Sequence, residues 1–181
     1  MESLASRAGA RPTDVKVRDI GFRWASCSSR GAVTFHWNCP DFINVDLIAA
    51  GLSPFDPERA ALRAGRLMLA EIARRVRAGE SFAFETTLSG RSYARLIPWW
   101  QSLGYHVKLI FLQLPSADLA VARVAGRVAQ GGHWVAPEIV RRRFDSGLRN
   151  FDNIYQQLVD SWAVYDNSGP APQLMASGDR T

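Results

Sequence analysis

The sequence predicts a three-layer α/β domain built on a mostly parallel sheet, and three observations carry that expectation. From residue 41 onward, short apolar runs alternate with longer segments of helical periodicity, the rhythm of strand, crossover helix and parallel strand. Residues 107–114 are nearly all apolar, interrupted by Lys108 and Gln113, as in a central strand covered on both faces. Three polar clusters, Asp46, Glu85-Thr86-Thr87 and Asp166-Asn167, fall at the ends of expected strands, where open α/β sheets bind their ligands.

Taken in order, residues 42–47 read as a short buried strand with Asp46 at its end, followed by a Gly- and Pro-punctuated loop over 51–55. Asp56-Pro57-Glu58 is a helix start: Asp as N-cap, Pro where a missing N–H costs nothing, Glu near the positive end of the dipole. That helix is expected to run to Ala78 and end at Gly79, with Leu62, Leu69, Ile72 and Val76 as its apolar face and Gly65 letting it approach the sheet. A second strand over 82–84 runs into Glu85-Thr86-Thr87, and a helix over 91–103 closes at Gly104. Strand 107–114, a helix from Pro115-Ser116 to Val128, a flexible loop at 130–133, a helix over 137–159 and a last strand over 162–165 complete the pattern. Residues 1–40 show neither a helical stripe nor sustained alternation.

With 181 residues, 47% of them hydrophobic, the chain can bury a substantial core and gives no reason to expect a second one. The net charge of +5 sits mainly in residues 1–40, with six basic residues against three acids, whereas residues 41–181 carry sixteen against fourteen. A body so nearly balanced, with no aromatics interleaved among its arginines, argues against nucleic acid as a partner. No run is long and apolar enough for a signal peptide or a membrane span, so a cytoplasmic location is expected. Cys27 and Cys39 have no His or Cys cluster at zinc-ligand spacing and read as free thiols, with no metal site of their own.

Four stretches carry a family likeness: 41–54 (DFINVDLIAAGLSP), 84–91 (FETTLSGR), 130–133 (QGGH) with 141–143 (RRR), and 164–169 (VYDNSG). Together and in this order they resemble the zeta-toxin-like family of P-loop kinases and ATPases. The resemblance implies a P-loop kinase-like domain over 38–181 that transfers a phosphoryl group from ATP, with Mg2+, to a hydroxyl of a small molecule, for toxin members a UDP-sugar. It makes Asp46 the general base, and makes Arg127 a second catalytic residue at the start of a lid that closes over the nucleotide phosphates. Glu85, Thr86, Thr87 and Arg91 line the substrate side. His133, Arg142, Arg143, Asp166 and Asn167 fall on the nucleotide and lid side, where arginine suits phosphate because its fork of donors binds bidentately and keeps its charge. An antitoxin protein is the partner that the resemblance suggests.

The likeness stops short of the phosphate-binding loop. A strand, G-x-x-x-x-G-K-[ST] and a helix should precede Asp46, yet the only lysines are Lys16 and Lys108, neither after a glycine-rich loop. The nearest remnant, Gly31-Ala32-Val33-Thr34, has Val where Lys is needed. Residues 1–37 are therefore expected to form an atypical, poorly ordered segment, a misassigned or frameshifted start, with the first strand and first helix degenerate or absent and a sheet edge left open. This departure predicts impaired transfer. It keeps a second class in play, a non-catalytic degenerate kinase fold that acts as a binding or interaction module.

Overall fold

A computed structural model describes the backbone of residues 18–25, and residues 41–129, 132 and 134–180. One six-stranded sheet runs through it: β1 (Arg18–Ala25), β2 (Phe42–Ile43), β3 (Phe82–Thr86), β4 (Tyr105–Gln113), β5 (Ser161–Asp166) and β6 (Gln173–Asp179), in the spatial order β2-β3-β1-β4-β5-β6. The first five strands in that order pair in parallel and β6 joins β5 antiparallel. The mixed α/β class with a mostly parallel sheet is thus as the sequence predicts.

The N-terminal strand corrects the sequence reading. It is present, at Arg18–Ala25, and lies between β3 and β4, with Phe22 opposite Phe84 on one side and Leu109 on the other. The sheet therefore has no open edge at this place, contrary to the expectation of an absent strand, and the segment expected to stand apart contributes its middle. Sequence pattern missed it because Arg, Asp and Gly interrupt the run, and alternation is the signal by which strands are read. The remainder of residues 1–37, including the Gly31-Thr34 remnant and any first helix, lies outside the described residues.

A second correction follows directly. Only Phe42 and Ile43 pair with β3, and the chain then turns into helix α1 (Val45–Leu52). Asn44 causes the turn: its side chain accepts from the backbone N–H of Asp46 at 2.8 Å and of Leu47 at 3.1 Å, an N-cap that satisfies two otherwise orphan donors. Asp46 consequently sits in the first turn of a helix instead of at a strand end.

Helix α2 (Pro57–Ala78) begins and ends as expected, with Asp56 accepting from Arg59 N–H and Gly79 in the left-handed region at φ 67. Its buried face differs from the expected one. Ala60, Ala64, Met68, Ile72 and Val76, a strict i, i+4 ridge, point inward, while Leu62 is 85% exposed and Leu69 is exposed as well. Among the described residues nothing lies within 4 Å of a Cβ placed on Gly65, so that glycine serves no close approach to them. The alanine end of the ridge packs on Ala49 of α1, and the Met68 to Val76 end enters the main core. Small residues on one helix let the other come near, so α1 and α2 form a tight pair.

The core is aromatic around β3 and helix α3 (Ser92–Ser102): Phe82 stacks on Phe84, Phe84 meets Trp100 edge to face, and Tyr93 packs at a tilt against both Phe84 and Trp100. Across β4, Phe111 stacks on Phe151 at 4.4 Å. Helix α4 (Ala117–Ala129) packs through Ala120 and Val124 with Val140 of helix α5 (Pro137–Asn150). The long helix expected over 137–159 is realised in three pieces, α5, a π-helical turn (Phe151–Tyr155) and α6 (Gln156–Leu158). Strand β6 was not anticipated, because its residues are nearly all exposed and show no apolar alternation. A Cβ on its Gly178 would stand 2.9 Å from the Trp162 ring, so glycine is what lets the strand close over that ring. Among the described residues no helix is long and apolar enough to cross a membrane.

Two predictions follow from α2. Met68→Ala should cost about 2–5 kcal/mol of unfolding free energy and Leu62→Ala less than about 0.5; denaturant titration of both variants checks this, and equal costs would refute the assigned face. Glu71 lies between Arg74 and Arg75, at 2.9 and 2.8 Å, and Arg75 reaches on to Asp41 ahead of β2. Hydrogen bonding from Arg74 foremost holds the Glu71 carboxyl down from 4.5 to about 2. A depressed folded-state pKa gives stability that is present above the ordinary value and lost as pH falls toward the folded one. Glu71→Gln should therefore flatten the loss of stability between pH 4.5 and about 2, seen as a smaller shift of denaturation midpoint.

Candidate functional site

Parallel strands put their carboxyl ends on one edge, and the chain at the ends of β2 and β3 carries five of the eleven residues singled out by sequence, Asp46, Glu85, Thr86, Thr87 and Arg91. Asn44 does more than cap α1: its Nδ2 donates to Glu85 Oε2 at 3.0 Å, tying the start of α1 to the end of β3. Asp46, one helical residue further, has a 73% exposed side chain with Oδ2 3.9 Å from Arg127 Nη1. A solvent-facing carboxylate beside a mostly buried guanidinium gains little stability from the pair, but it is open to a ligand hydroxyl. The two residues to which the resemblance gave catalytic roles are thus brought together.

Arg127 stands in the last turn of α4, and its carbonyl accepts from Gly132 N–H at 2.9 Å. A Cβ on Gly132 would lie 2.4 Å from Arg127 Cγ and 2.8 Å from its carbonyl oxygen. Glycine at 132 therefore lets the Arg127 side chain run past the returning backbone toward Asp46. His133 lies outside the described residues, as do Gln130 and Gly131.

The loop from β3 to α3 is fixed by bonds at nearly every residue. Leu88 N–H donates to Thr86 Oγ1 at 3.2 Å, and the Thr87 and Ser89 hydroxyls share a bond of 2.8 Å. Leu88 has φ 49, the single non-glycine residue of positive φ among those described, and its side chain is fully buried. Its carbonyl accepts from Asn150 Nδ2 at 2.7 Å, and the Gly90 carbonyl accepts from the Tyr155 hydroxyl at 2.8 Å. Burial pushes the Tyr155 hydroxyl upward, with an Ala94 backbone bond and the Arg91 charge pulling against it; burial takes Tyr93 to about 12. Asn150 and Tyr155 are five residues apart, and a π-helical turn, whose bonds run i to i+5, sets such residues on one face.

This clamp borders an open, solvent-facing cavity of about 420 Å³. Ser89 and Arg91 line it from the loop, and Ser146, Arg149, Asn150 and Asn153 line it from α5 and the π turn. Arg91 and Thr87, expected on the substrate side, therefore belong to one organised loop.

Two further expected groups lie outside this loop, the first of them at the carboxyl end of β5 where the sequence puts it. Asp166 ends β5, where its Oδ1 accepts from Ser168 N–H at 2.8 Å, and that bond holds its carboxyl below the usual range. Asn167 N–H bonds the Gln113 carbonyl and Arg123 bonds the Ser168 carbonyl, so Asp166-Asn167 forms a turn facing α4. Arg142 and Arg143 are exposed on α5, and Arg141 pairs with Asp118. Sequence reading missed Asn44, Arg149, Asn150 and Tyr155. A capping Asn before an apolar run was the available signal for the first; the other three sit inside a helix, where periodicity cannot tell a loop clamp from a polar face.

Comparison with known proteins supports this fold and places the chain. It is 30% identical over 102 residues to an uncharacterized protein of Haemophilus influenzae, covering 56% of this chain and 73% of the relative. The chain belongs to the family of that protein. Among solved structures it resembles a chain of the PezAT chromosomal toxin-antitoxin system of Streptococcus pneumoniae, with a TM-score of 0.60 and 11% identity over 89% of this chain and 71% of that one. The chain accordingly shares the fold of that structure, a mixed α/β domain on a mostly parallel sheet. No protein-family profile matches the sequence.

Asn44→Ala should cost about 1–2 kcal/mol through loss of the cap. Asn44→Asp keeps the cap oxygen but sets a carboxylate against Glu85, so at neutral pH it should remain destabilised and recover as the pair is protonated. Denaturation at pH 7 and pH 4 checks this, and an Asp variant equal to wild type at both would show that the Glu85 bond contributes nothing.

Proposed function

We propose that this chain is a small-molecule kinase of the zeta-toxin type in which the acceptor half of the site is complete and the phosphate-donor half is reduced, so that transfer is impaired. The observation that carries the reading is the approach of Asp46 to Arg127 beside the clamped β3–α3 loop, at the carboxyl edge of a P-loop kinase-like sheet. Asp46 is exposed and placed to take the proton of an acceptor hydroxyl. Arg127 keeps it oriented and supplies fixed positive charge where negative charge builds up. Glu85, Thr86, Thr87 and Arg91 hold the acceptor.

In such kinases ATP with Mg2+ supplies the phosphoryl group. The donor set of this chain does not fit it in the usual manner: residues 26–40, which join β1 to β2, contain no lysine, and Lys108 lies within β4. Arg142, Arg143 and His133 are the remaining candidates for phosphate contact, with Asp166-Asn167 behind α4. The same lack of a lysine favours a second reading, a non-catalytic kinase fold that binds a small molecule or an antitoxin protein. A soluble cytoplasmic setting suits both.

Asp46→Asn is nearly isosteric and removes only the base, so it should abolish Mg2+-dependent phosphotransfer from ATP while leaving the melting temperature unchanged. Activity within about twofold of wild type would remove Asp46 from that role, since general-base catalysis contributes about 100-fold or more. Replacing Arg142 and Arg143 together by Ala should weaken ATP binding with little effect on stability, because exposed charges contribute little to folding. A large loss of stability with unchanged ATP affinity would make the pair structural. Calorimetry with ATP and Mg2+ separates the two readings: no detectable binding leaves the binding module.

A further inference from the structure

We infer that the outward face of α2 is a docking surface for an acidic amphipathic helix of another protein, seated on Leu62 and Leu69 and paired along its flank with Arg59, Arg63 and Arg66. The inference concerns a partner and holds whether or not the chain transfers a phosphoryl group.

Three observations carry it. The first is apolar surface that the fold itself does not use. The inward ridge of α2 runs from Ala60 to Val76, yet Leu62 and Leu69, off that ridge and two turns apart, are 85% and 46% exposed. Ala73 continues their stripe, and Phe55 stands fully exposed just ahead of the N-cap. Leucines at heptad spacing form the kind of seam against which a second helix packs. The second is Gly65, which lies between them. Among the described residues a Cβ there would meet nothing within 4 Å, and glycine inside a helix is less favourable than alanine. A glycine that serves no neighbour within the molecule lets the backbone of a neighbour outside it come close.

The third observation is charge, and it selects the occupant. Arg59, Arg63 and Arg66 recur at i, i+4 and i+7 beside the leucines, all exposed, with Arg77 in line near the C-terminal end. Among the described residues none of these four pairs with a carboxylate, whereas Arg74 and Arg75 are taken up by Glu71, Glu80 and Asp41. The exposed acids of α2 are Asp56 and Glu58, at its first turn, where they cap the helix and face its positive dipole end. A second copy would set arginine against arginine along α2, a like-charge juxtaposition that suppresses pairing. A membrane surface would need a broad apolar face, and here Arg66 falls between the two leucines while the inward side of α2 is in the core. A helix with leucines on one stripe and glutamates beside it satisfies both stripes at once.

The test is binding of the full chain to a fluorescein-labelled designed peptide of about three heptads, with leucine at a and d and glutamate at e and g. Fluorescence anisotropy at low ionic strength reads it, with a peptide of the same residues in shuffled order and one with lysine for glutamate as comparators. The acidic peptide should bind, about tenfold or more tighter than the shuffled one, and the lysine peptide should not bind. Leu62→Ala with Leu69→Ala should weaken the acidic peptide by about tenfold or more, and Gly65→Leu should weaken it by obstructing the approach. Arg63→Glu with Arg66→Glu should abolish that binding and admit the lysine peptide instead. All these variants should melt close to the wild type, because the altered side chains lie off the buried ridge; thermal denaturation verifies it. The inference is overturned if the acidic peptide does not bind, if the shuffled peptide binds equally, or if any of the folded variants binds the acidic peptide as wild type does. Sedimentation showing a dimer that the charge-reversed variant loses would make the occupant a second copy, and vesicles containing phosphatidylglycerol that displace the peptide would make it a membrane; either result replaces the inference.

Discussion

A buried hydrogen bond, from the Asn150 amide to the Leu88 carbonyl, is the constraint on which the candidate site at the β3–α3 loop depends. The chain leaving β3 must turn within a few residues into α3, and it does so by placing Leu88 in the left-handed region with its side chain in the core. That turn directs a carbonyl inward, where an unpaired acceptor would cost about 1–3 kcal/mol. Asn150 supplies the donor from a helix more than sixty positions away in sequence, and Tyr155 repeats the arrangement at Gly90. The π turn is what allows both from one helix. Aromatic packing of Phe111 on Phe151 anchors that turn to the sheet.

From this clamp the rest of the site follows in two directions. Toward α5 it brings Arg91 and Arg149 to the lining of one open cavity. Toward β2 the strand that feeds the loop presents Glu85, which holds Asn44, which in turn starts α1 and sets Asp46 in its first turn. Asp46 then meets Arg127, whose side chain passes a residue that has to be glycine. Asp46, Arg127 and Arg91 are therefore positioned by a short series of hydrogen bonds and one ion pair at the sheet edge, the kind of support that a catalytic geometry would need. The donor side has no comparable support among the described residues.

Much of this architecture was legible in the sequence because it is local. The Asp56-Pro57 start and Gly79 end of α2, the apolar β4 and the order of strands and helices each rest on a signal within a few residues. What the sequence concealed is non-local. β1 carries Arg, Asp and Gly, and its place in the middle of the sheet is decided by partners at 82–86 and 105–112. The inward face of α2 is chosen by alanines that pack against α1, not by the larger leucines that periodicity favours. Asp46 lies in a helix and not at a strand end, since one Asn cap outweighed the strand propensity of its apolar neighbours. The clamp itself was invisible: nothing near Asn150 or Tyr155 announces a loop sixty residues earlier.

Hydrogen exchange of the Leu88 amide tests this dependence most directly, because that N–H bonds Thr86 only while the loop keeps its turn. Its exchange in the wild type should be slow and should accelerate by about tenfold or more in Asn150→Ala, while amides in the middle of β4 keep their protection, as expected of a local opening. An Asn150→Ala protein whose Leu88 amide exchanges at the wild-type rate would contradict the account, since the loop would then hold its shape without the bond from which the site is built.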